Sequence, residues 1–420
     1  MRLYLHTSIL LAIVIAAAAL TGVYTYKHYC RNNVPARSEF GKSPVLVRGQ
    51  VSPGFMLFTP LNLSSAPFKG GTVYLTNLYG QVVHTWKTKA KTQYAILKSD
   101  SHLVVSQANI DNKKYPQAAR ITSIQELDAE SNLIWEYKND ALHHDFDVLP
   151  NDNIAVLEWV KIPTEKITSV VGGRSGTEFN KEEIFTDRIL EVDRDKNVVW
   201  SWNALDHIGP EEFKIPEMFP RDQWSHANSI KYIKSDPFFS EEAYLVSMRY
   251  FNTVFLISRK TGEIIWRSPQ GLLGHQHDAT FLESGNILIF NNAFHTSVSL
   301  NYFNYGSSVI EINPVTNKVE WEFSGGSNPL DKARLTEVIL SGAQRLSNGN
   351  TLITLGTTGH LLEVTKEGKV VWDMVNPYSD STTEAFPSNY LFKSRRYSSR
   401  DVPWLEKFGD SLPTFAEYCD

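Results

Sequence analysis

The chain lacks several features by which a sequence identifies its partner. Acidic and basic residues nearly balance, 46 against 41, and the formal charge is −5. No basic run and no interleaving of basic with aromatic residues occurs, so the electrostatic footprint of a nucleic-acid binder is missing. No Walker-type loop and no dinucleotide fingerprint is present, so neither nucleotide nor NAD binding is implied. Cysteine is scarce. Cys30 and Cys419 stand at opposite ends of the chain. In an oxidising compartment they either staple the termini or stay unpaired.

Aromatic residues and glycine are plentiful, with 22 Phe, 18 Tyr, 10 Trp and 24 Gly in 420 residues. That mixture suits a strand-rich protein. The N-terminus is a different material. Ile9 to Val23 carries no charged residue and is preceded only by Arg2 and His6. A basic start, an apolar core and the small residues Ala16 to Ala19 fit a cleaved secretory signal. Tyr4 to Tyr26 equally gives the roughly 20 residues of a single membrane-spanning helix. Residues 1–32 are therefore expected to be a signal peptide or a helical membrane anchor, with the bulk of the chain outside the cytoplasm: periplasmic, extracellular, lumenal or secreted. Asn62-Leu63-Ser64 is a glycosylation acceptor pattern. Residues 33–49 are polar and read as linker.

From Tyr74 onward one sentence recurs: an apolar pair, a polar turn, and a β-branched strand ending in tryptophan. It ends at Trp86, Trp135, Trp200, Trp266, Trp321 and Trp372, with spacings of 49, 65, 66, 55 and 51 residues. Helices are hard to fit into these intervals, whereas hairpins fit well. A second unit answers the later ones, as in HHDFDVLPNDNIAVLEW from His143, HANSIKYI from His226 and GAQRLSNGNTLITLG from Gly342. Six four-stranded units about 50 residues apart predict an all-β, six-bladed β-propeller over 50–400, preceded by the N-terminal hydrophobic helix. No polar capping repeat is seen, which favours a closed ring over an open stack. The tryptophans are expected to pack between blades. Two long intervals carry insertions, Lys161 to Asp187 and Asn203 to Trp224, and loops on a rigid scaffold are where sites collect. The tail 401–420 is expected to begin with a short helix over Val402 to Phe408, and a closing strand is expected somewhere after Asn376.

The histidines concentrate. GHQHDATFLESGNILIFNN, from Gly274 to Asn292, opens with His275, His277 and Asp278 ahead of a hairpin with a Gly-Asn turn. His143 and His144 precede the equivalent strand two units earlier, and His226 does so one unit earlier. At equivalent positions they would converge on one mouth of a propeller channel. Asp145, Asn228 and Asp278 stand beside them, suited to orienting imidazoles or binding substrate. Arg249 lies in an apolar context and is expected on a strand. A buried guanidinium needs anionic company, either a sulfate or phosphate group or a carboxylate such as Asp278. Several imidazoles suit a metal centre, although the nearby arginine argues against one. They also suit group transfer through a modified histidine.

The motifs HHDF, HANS, SMRYFN and HQHDATFLESGNILIFNN, followed by SGAQRLSNGNTLI, resemble those of the aryl-sulfate sulfotransferase family over Tyr74 to Asn376. The resemblance implies a six-bladed propeller that moves a sulfuryl group between phenols with no nucleotide donor and no cofactor or metal. It implies His277 as nucleophile, His226, Arg249 and His144 (or its neighbour His143) as further catalytic residues, and Asn228, His275 and Asp278 around the substrate. The partners would be an aryl sulfate and a phenol. The chain departs from the family's better-known branch in having no N-terminal β domain and no cysteine pair within the ring. It reads as a shorter, more distant member. The competing readings are a membrane-tethered propeller that binds a protein or glycan, and a metal hydrolase ligated by histidines.

Overall fold

A computed structural model describes residues 46–61, 70–108, 113–116, 119–235, 240–293, 306–325, 329–378 and 389–412. The expected N-terminal helix, Cys30, Cys419, Asn62 and most of the linker lie outside these residues. No helix among the described residues is long and apolar enough to cross a membrane.

Six four-stranded antiparallel sheets follow one another along the chain. From the innermost strand outward, blade 2 starts at Lys91–Leu97 and ends at Leu133–Lys138. Blade 3 runs from Leu142–Val148 to Val198–Asn203, and blade 4 from Ala227–Ile233 to Ile264–Arg267. Blade 5 runs from His277–Phe281 to Lys318–Phe323, and blade 6 from Gly342–Arg345 to Val370–Val375. Blade 1 takes its three outer strands from Phe55–Pro60, Gly71–Thr76 and Val82–Thr88, while its innermost strand, Leu391–Tyr397, comes from the end of the chain. That is the closing strand expected after Asn376. It is followed by a short 3-10 helix, Pro403–Phe408. The segment just ahead of blade 1 adds a second clasp, since Leu46 bridges Trp372 on the outer strand of blade 6.

The runs of consecutive apolar residues have a direct cause. Each blade is covered on both faces by its neighbours, so successive side chains of one strand enter different cores. In Ile287–Asn291, Ile287 and Ile289 pack into the core shared with blade 4, and Leu288 and Phe290 into the core shared with blade 6. The buried residues divide in this way into six cores, one for each blade-to-blade interface.

The recurrent tryptophans make the same interface in every repeat. Each indole Nε1–H donates to the turn before the outermost strand of the next blade. Trp86 bonds Asp128 O (3.1 Å), Trp135 Arg194 O (2.8 Å), Trp200 Arg259 O (2.8 Å), Trp266 Asn317 Oδ1 (2.9 Å) and Trp321 Lys366 O (2.7 Å). Trp372 of blade 6 then bonds Leu78 O of blade 1 at 2.8 Å, which closes the circle. An open stack would leave that last donor unused.

Trp372 is fully buried, so its replacement by phenylalanine opens a small void and strands the Leu78 carbonyl. The two effects together should cost about 2–4 kcal/mol. Thermal unfolding followed by circular dichroism should show Trp372→Phe melting several degrees below the unaltered protein. An unchanged midpoint would mean that this interface does not hold the ring shut.

Candidate functional site

The innermost strands of blades 3, 4 and 5 all begin at one face of the ring, and their register aligns the histidine motifs. Asp145 accepts Ile230 N–H of the next blade (3.1 Å), Ser229 accepts Ala279 N–H (3.2 Å), and Asp278 accepts Ala343 N–H (3.0 Å). Counting back one residue from each acceptor puts His144, Asn228 and His277 at one position. Counting back three aligns His226 with His275. The backbone is left-handed at His144, His226, His275 and Asp278, with φ between 49° and 54°. Such conformations cost a non-glycine residue about 1 kcal/mol or more, and they gather here at the chain's densest group of imidazoles.

His277 is held in a single orientation. Its Nδ1 lies 2.7 Å from Asn292 Oδ1. The Asn292 amide group donates to Glu337 O (2.9 Å) and Leu340 O (3.3 Å), so its other end is necessarily the acceptor. His277 Nδ1 therefore carries the proton, and Nε2 keeps its lone pair. Burial, then the Arg249 charge, push the His277 pKa down to about 3 against the smaller opposing effect of Asn292. The side chain is neutral at physiological pH. Between His275 and His277, the Gln276 side chain anchors the segment to blade 4 through Ser247 Oγ, Met248 O and Thr253 O. Asn228 Nδ2 bonds the Gln276 carbonyl at 2.8 Å, so Asn228 braces the backbone next to His277.

Arg249 sits just beyond Ala243–Met248, in the turn to Thr253–Ser258, rather than on a strand as its apolar flanks predicted. A hairpin loop brings it to the mouth, with its N–H bonded to His226 O (2.9 Å). The residue is 4% exposed, and its guanidinium faces the rings of Phe219 (5.0 Å) and Tyr250 (5.7 Å) and donates weakly to Val338 O at 3.4 Å. Among the described residues no carboxylate pairs with it, and its Nε has no hydrogen-bond partner. Burial pulls its pKa down to about 10, so it stays charged. Asp278, the sequence's candidate partner, is engaged elsewhere. It forms a bidentate pair with Arg395 (2.9 and 2.6 Å) and lies 3.3 Å from Lys393. Burial pushes the Asp278 carboxyl up, but Arg395 and Lys393 outweigh it and hold the group well below the usual range. Lys393 also bonds Asp145 at 2.7 Å, so ions from blades 1, 3 and 5 cross the channel beneath the histidines.

His226 stacks on Tyr250 (centroids 4.7 Å apart) and meets His144 edge-on at 4.6 Å. Its Nδ1 is buried with no hydrogen-bond partner among the described residues. Burial first, then the neighbouring imidazoles and Arg249, lower the pKa of both His144 and His226 far below the ordinary value. His143 lies behind His144, stacked on Trp159 at 3.8 Å, with the two Nδ1 atoms 2.8 Å apart. His275 is fully buried and abuts Phe219 at 5.1 Å. His144, His226, His277 and Arg249 thus form one electrostatically coupled group. Asn228 and His143 stand behind it, and Asp278 belongs to the ionic layer below.

Phe219 comes from an insertion. The two long insertions pair in parallel through Gly172–Arg174 and Ile215–Pro220. At Gly172 (φ 84°) a Cβ would lie 2.2 Å from Ile215 O, which explains the glycine pair. Sequence reasoning missed Phe219, Tyr250, Asn292, Lys393 and Arg395. Asn292 ends the stretch that carries His277, and an amide after an apolar strand was the available signal. Lys393 and Arg395 stand in a closing strand whose partners are more than 100 residues away. Asp100, His102 and Glu126 are close enough together to ligate a cation, but Lys98 Nζ already lies 3.1 Å from Asp100 and 3.0 Å from Glu126.

By fold the chain is similar to a protein of unknown function from Bacteroides caccae, at 14% identity with a TM-score of 0.46, covering 77% of this chain and 94% of that one. It is similar also to a catalytically inactive variant of virginiamycin B lyase from Staphylococcus aureus, crystallised with quinupristin (11%, 0.41, 79% and 87%). A third likeness is to apo AztD from Citrobacter koseri (7%, 0.40, 83% and 99%). Likenesses this distant say nothing about chemistry. No curated protein matches the chain. A sequence model of the arylsulfotransferase (ASST) family does match, over residues 120–377. That span is more than half of the chain and takes in blades 3 to 6 entire, so the chain belongs to the arylsulfotransferase family.

Proposed function

We propose that this protein is a nucleotide-independent sulfotransferase that moves a sulfuryl group from a phenolic sulfate ester to a phenol through a sulfohistidine at His277. The observation that carries the proposal is Arg249, a buried cation with no carboxylate partner among the described residues, coupled to three neutral imidazoles. An isolated buried charge is strongly unfavourable, and a sulfate ester supplies the single negative charge that would balance it. Phe219, half-buried against Tyr250 and Arg249, offers aromatic surface for an aryl ring. A divalent metal at the imidazoles fits less well, because it would sit beside the same guanidinium. A propeller that only binds would have no need of an amide that fixes the His277 tautomer.

In the first half-reaction the His277 Nε2 lone pair attacks sulfur as the bond from sulfur to the aryl oxygen breaks, and its electron pair leaves on the phenolate. Arg249 and His226 hold the non-bridging oxygens. The imidazolium that forms keeps its Nδ1–H on Asn292 Oδ1, so the developing charge meets an acceptor already in position. His144 and His226 rest neutral, so no protonated imidazole assists the leaving oxygen, and donors with acidic phenols are favoured. In the second half-reaction a phenol oxygen takes the group and His277 is regenerated. The apolar run of residues 9–23 supports a location outside the cytoplasm, tethered or released.

The defining experiment incubates the protein with an aryl sulfate and a second phenol and reads transfer. His277→Ala should abolish transfer while leaving the circular dichroism unchanged, and transfer that survives the substitution would sink the mechanism. Arg249→Met should slow transfer on the order of 100-fold, by analogy with loss of an oxyanion-hole donor. The lowered histidine pKa values also have a consequence for stability. The unfolded chain binds protons at these sites from about pH 6.5 downward, whereas the folded His277 does not until about pH 3. Their stabilising effect is complete well above pH 6.5 and is lost progressively as pH falls below it. Unfolding midpoints measured between pH 7 and 5 should therefore fall with acidity, and His226→Gln should flatten the slope. A slope that His226→Gln leaves unaltered would contradict the assigned burial.

A further inference from the structure

Asp187 lies behind the two adjacent histidines, on the strand Phe185–Val192 of blade 3. It is 1% exposed, and its Oδ2 accepts the Ala227 N–H at 2.8 Å. Its other oxygen, Oδ1, lies 3.1 Å from His143 Nε2, off the line of a well-formed hydrogen bond but close enough to decide where a proton sits. A lone pair turned toward a carboxylate at that distance is repelled, so His143 carries its proton on Nε2. His143 Nδ1 is then an acceptor. His144 Nδ1, 2.8 Å away, must be the donor across that contact. The tautomer of His144 is thereby set as well, with a proton on Nδ1 and a bare lone pair on Nε2. Trp159, stacked flat on His143 at 3.8 Å, keeps that ring from turning.

Resting on the sulfuryl-transfer reading, we propose that His144 is the general base that takes the proton of the acceptor phenol, and that Asp187 and His143 are positioning residues that hold it in the basic tautomer. As the acceptor oxygen forms its bond to sulfur, its proton passes to His144 Nε2. The bond between sulfur and His277 Nε2 breaks, and its electron pair returns to that nitrogen. The His144 imidazolium is stabilised through Nδ1–H, His143 and the Asp187 carboxylate. The proton then leaves to water, where it matches the one taken up by the phenolate released in the first half-reaction. The doubled histidine of HHDF gains a division of labour, since His144 meets the ring of His226 at 4.6 Å while His143 stacks on Trp159 behind it.

The test is Asp187→Asn, whose oxygen can keep the Ala227 bond while its amide turns to His143. That donor reverses the relay, so His143 Nε2 becomes the acceptor and His144 moves its proton to Nε2. Nitrogen-15 NMR of the histidine-labelled, substrate-free protein should show His144 protonated on Nδ1 in the unaltered chain and on Nε2 in the variant. In rapid-mixing experiments the phenolate burst of the first half-reaction should persist. Discharge of the sulfurylated protein by a weakly acidic phenol should slow on the order of 100-fold, with less slowing for strongly acidic phenols. His143→Phe, which keeps the stack on Trp159, should slow the same step. A His144 proton on Nε2 in the unaltered chain, an unchanged tautomer in Asp187→Asn, or equal slowing of both half-reactions would each overturn the relay. If the unaltered protein transfers no sulfuryl group, the base assignment falls with the reaction. The tautomer readout needs no substrate, so a failed relay and a failed reaction give different results.

Discussion

A sheet with two apolar faces is stable only when both are covered, and here that requirement is met around a closed circle. Each blade shares one core with the blade before it and another with the blade after it, so no single blade is a folding unit. The tryptophan bonds repeat the same condition at the rim, where each donor finds its acceptor only if the next blade is in place. The last blade has only the first to turn to. The chain meets this by returning Leu391–Tyr397 to the inside of blade 1 and laying Leu46 against Trp372. Lys393 and Arg395 ride on that returning strand, so ring closure also puts cations against Asp145 and Asp278.

The closed ring is what allows an unusual arrangement at its mouth. Arg249 is desolvated beside His144, His226 and His277, and nothing among the described residues balances its charge. Compact proteins seldom keep a guanidinium in that state without a ligand to meet it. The backbone supplies the rigidity. Left-handed residues begin the innermost strands, and Gln276 and Asn228 tie blade 5 to blade 4. Asn292 then fixes the His277 proton on Nδ1 and leaves the lone pair on Nε2. Each imidazole is kept neutral by burial first and by charge second, which leaves lone pairs available where protonated rings would be inert.

Much of the fold was legible because its determinants are periodic. Six tryptophans, six polar turns and the intervals between them specify the blades with no long-range information. The histidine motifs were legible for the same reason, since they recur at the start of equivalent strands. What sequence could not show was pairing across blades. Asp278 was a plausible partner for Arg249 until Arg395, 117 positions away, proved to hold it. Arg249 looked strand-borne because the segment on either side of it is largely apolar, yet the turn begins immediately after Met248. Phe219 was hidden in a Pro-rich insertion, where no periodicity assigns a direction to any side chain. Asn292 lay in plain view, but its importance depends on the carbonyls of Glu337 and Leu340 fixing which end of its amide is the acceptor.

Covalent sulfurylation of His277 is the step on which the proposed reaction turns. It is tested most directly by mixing the protein with an aryl sulfate in the absence of acceptor, digesting it under mildly alkaline conditions and locating the added mass. One SO3 group is expected on His277, removed when a phenol is added. Transfer that proceeds with no such adduct, or with the group on another residue, would contradict it.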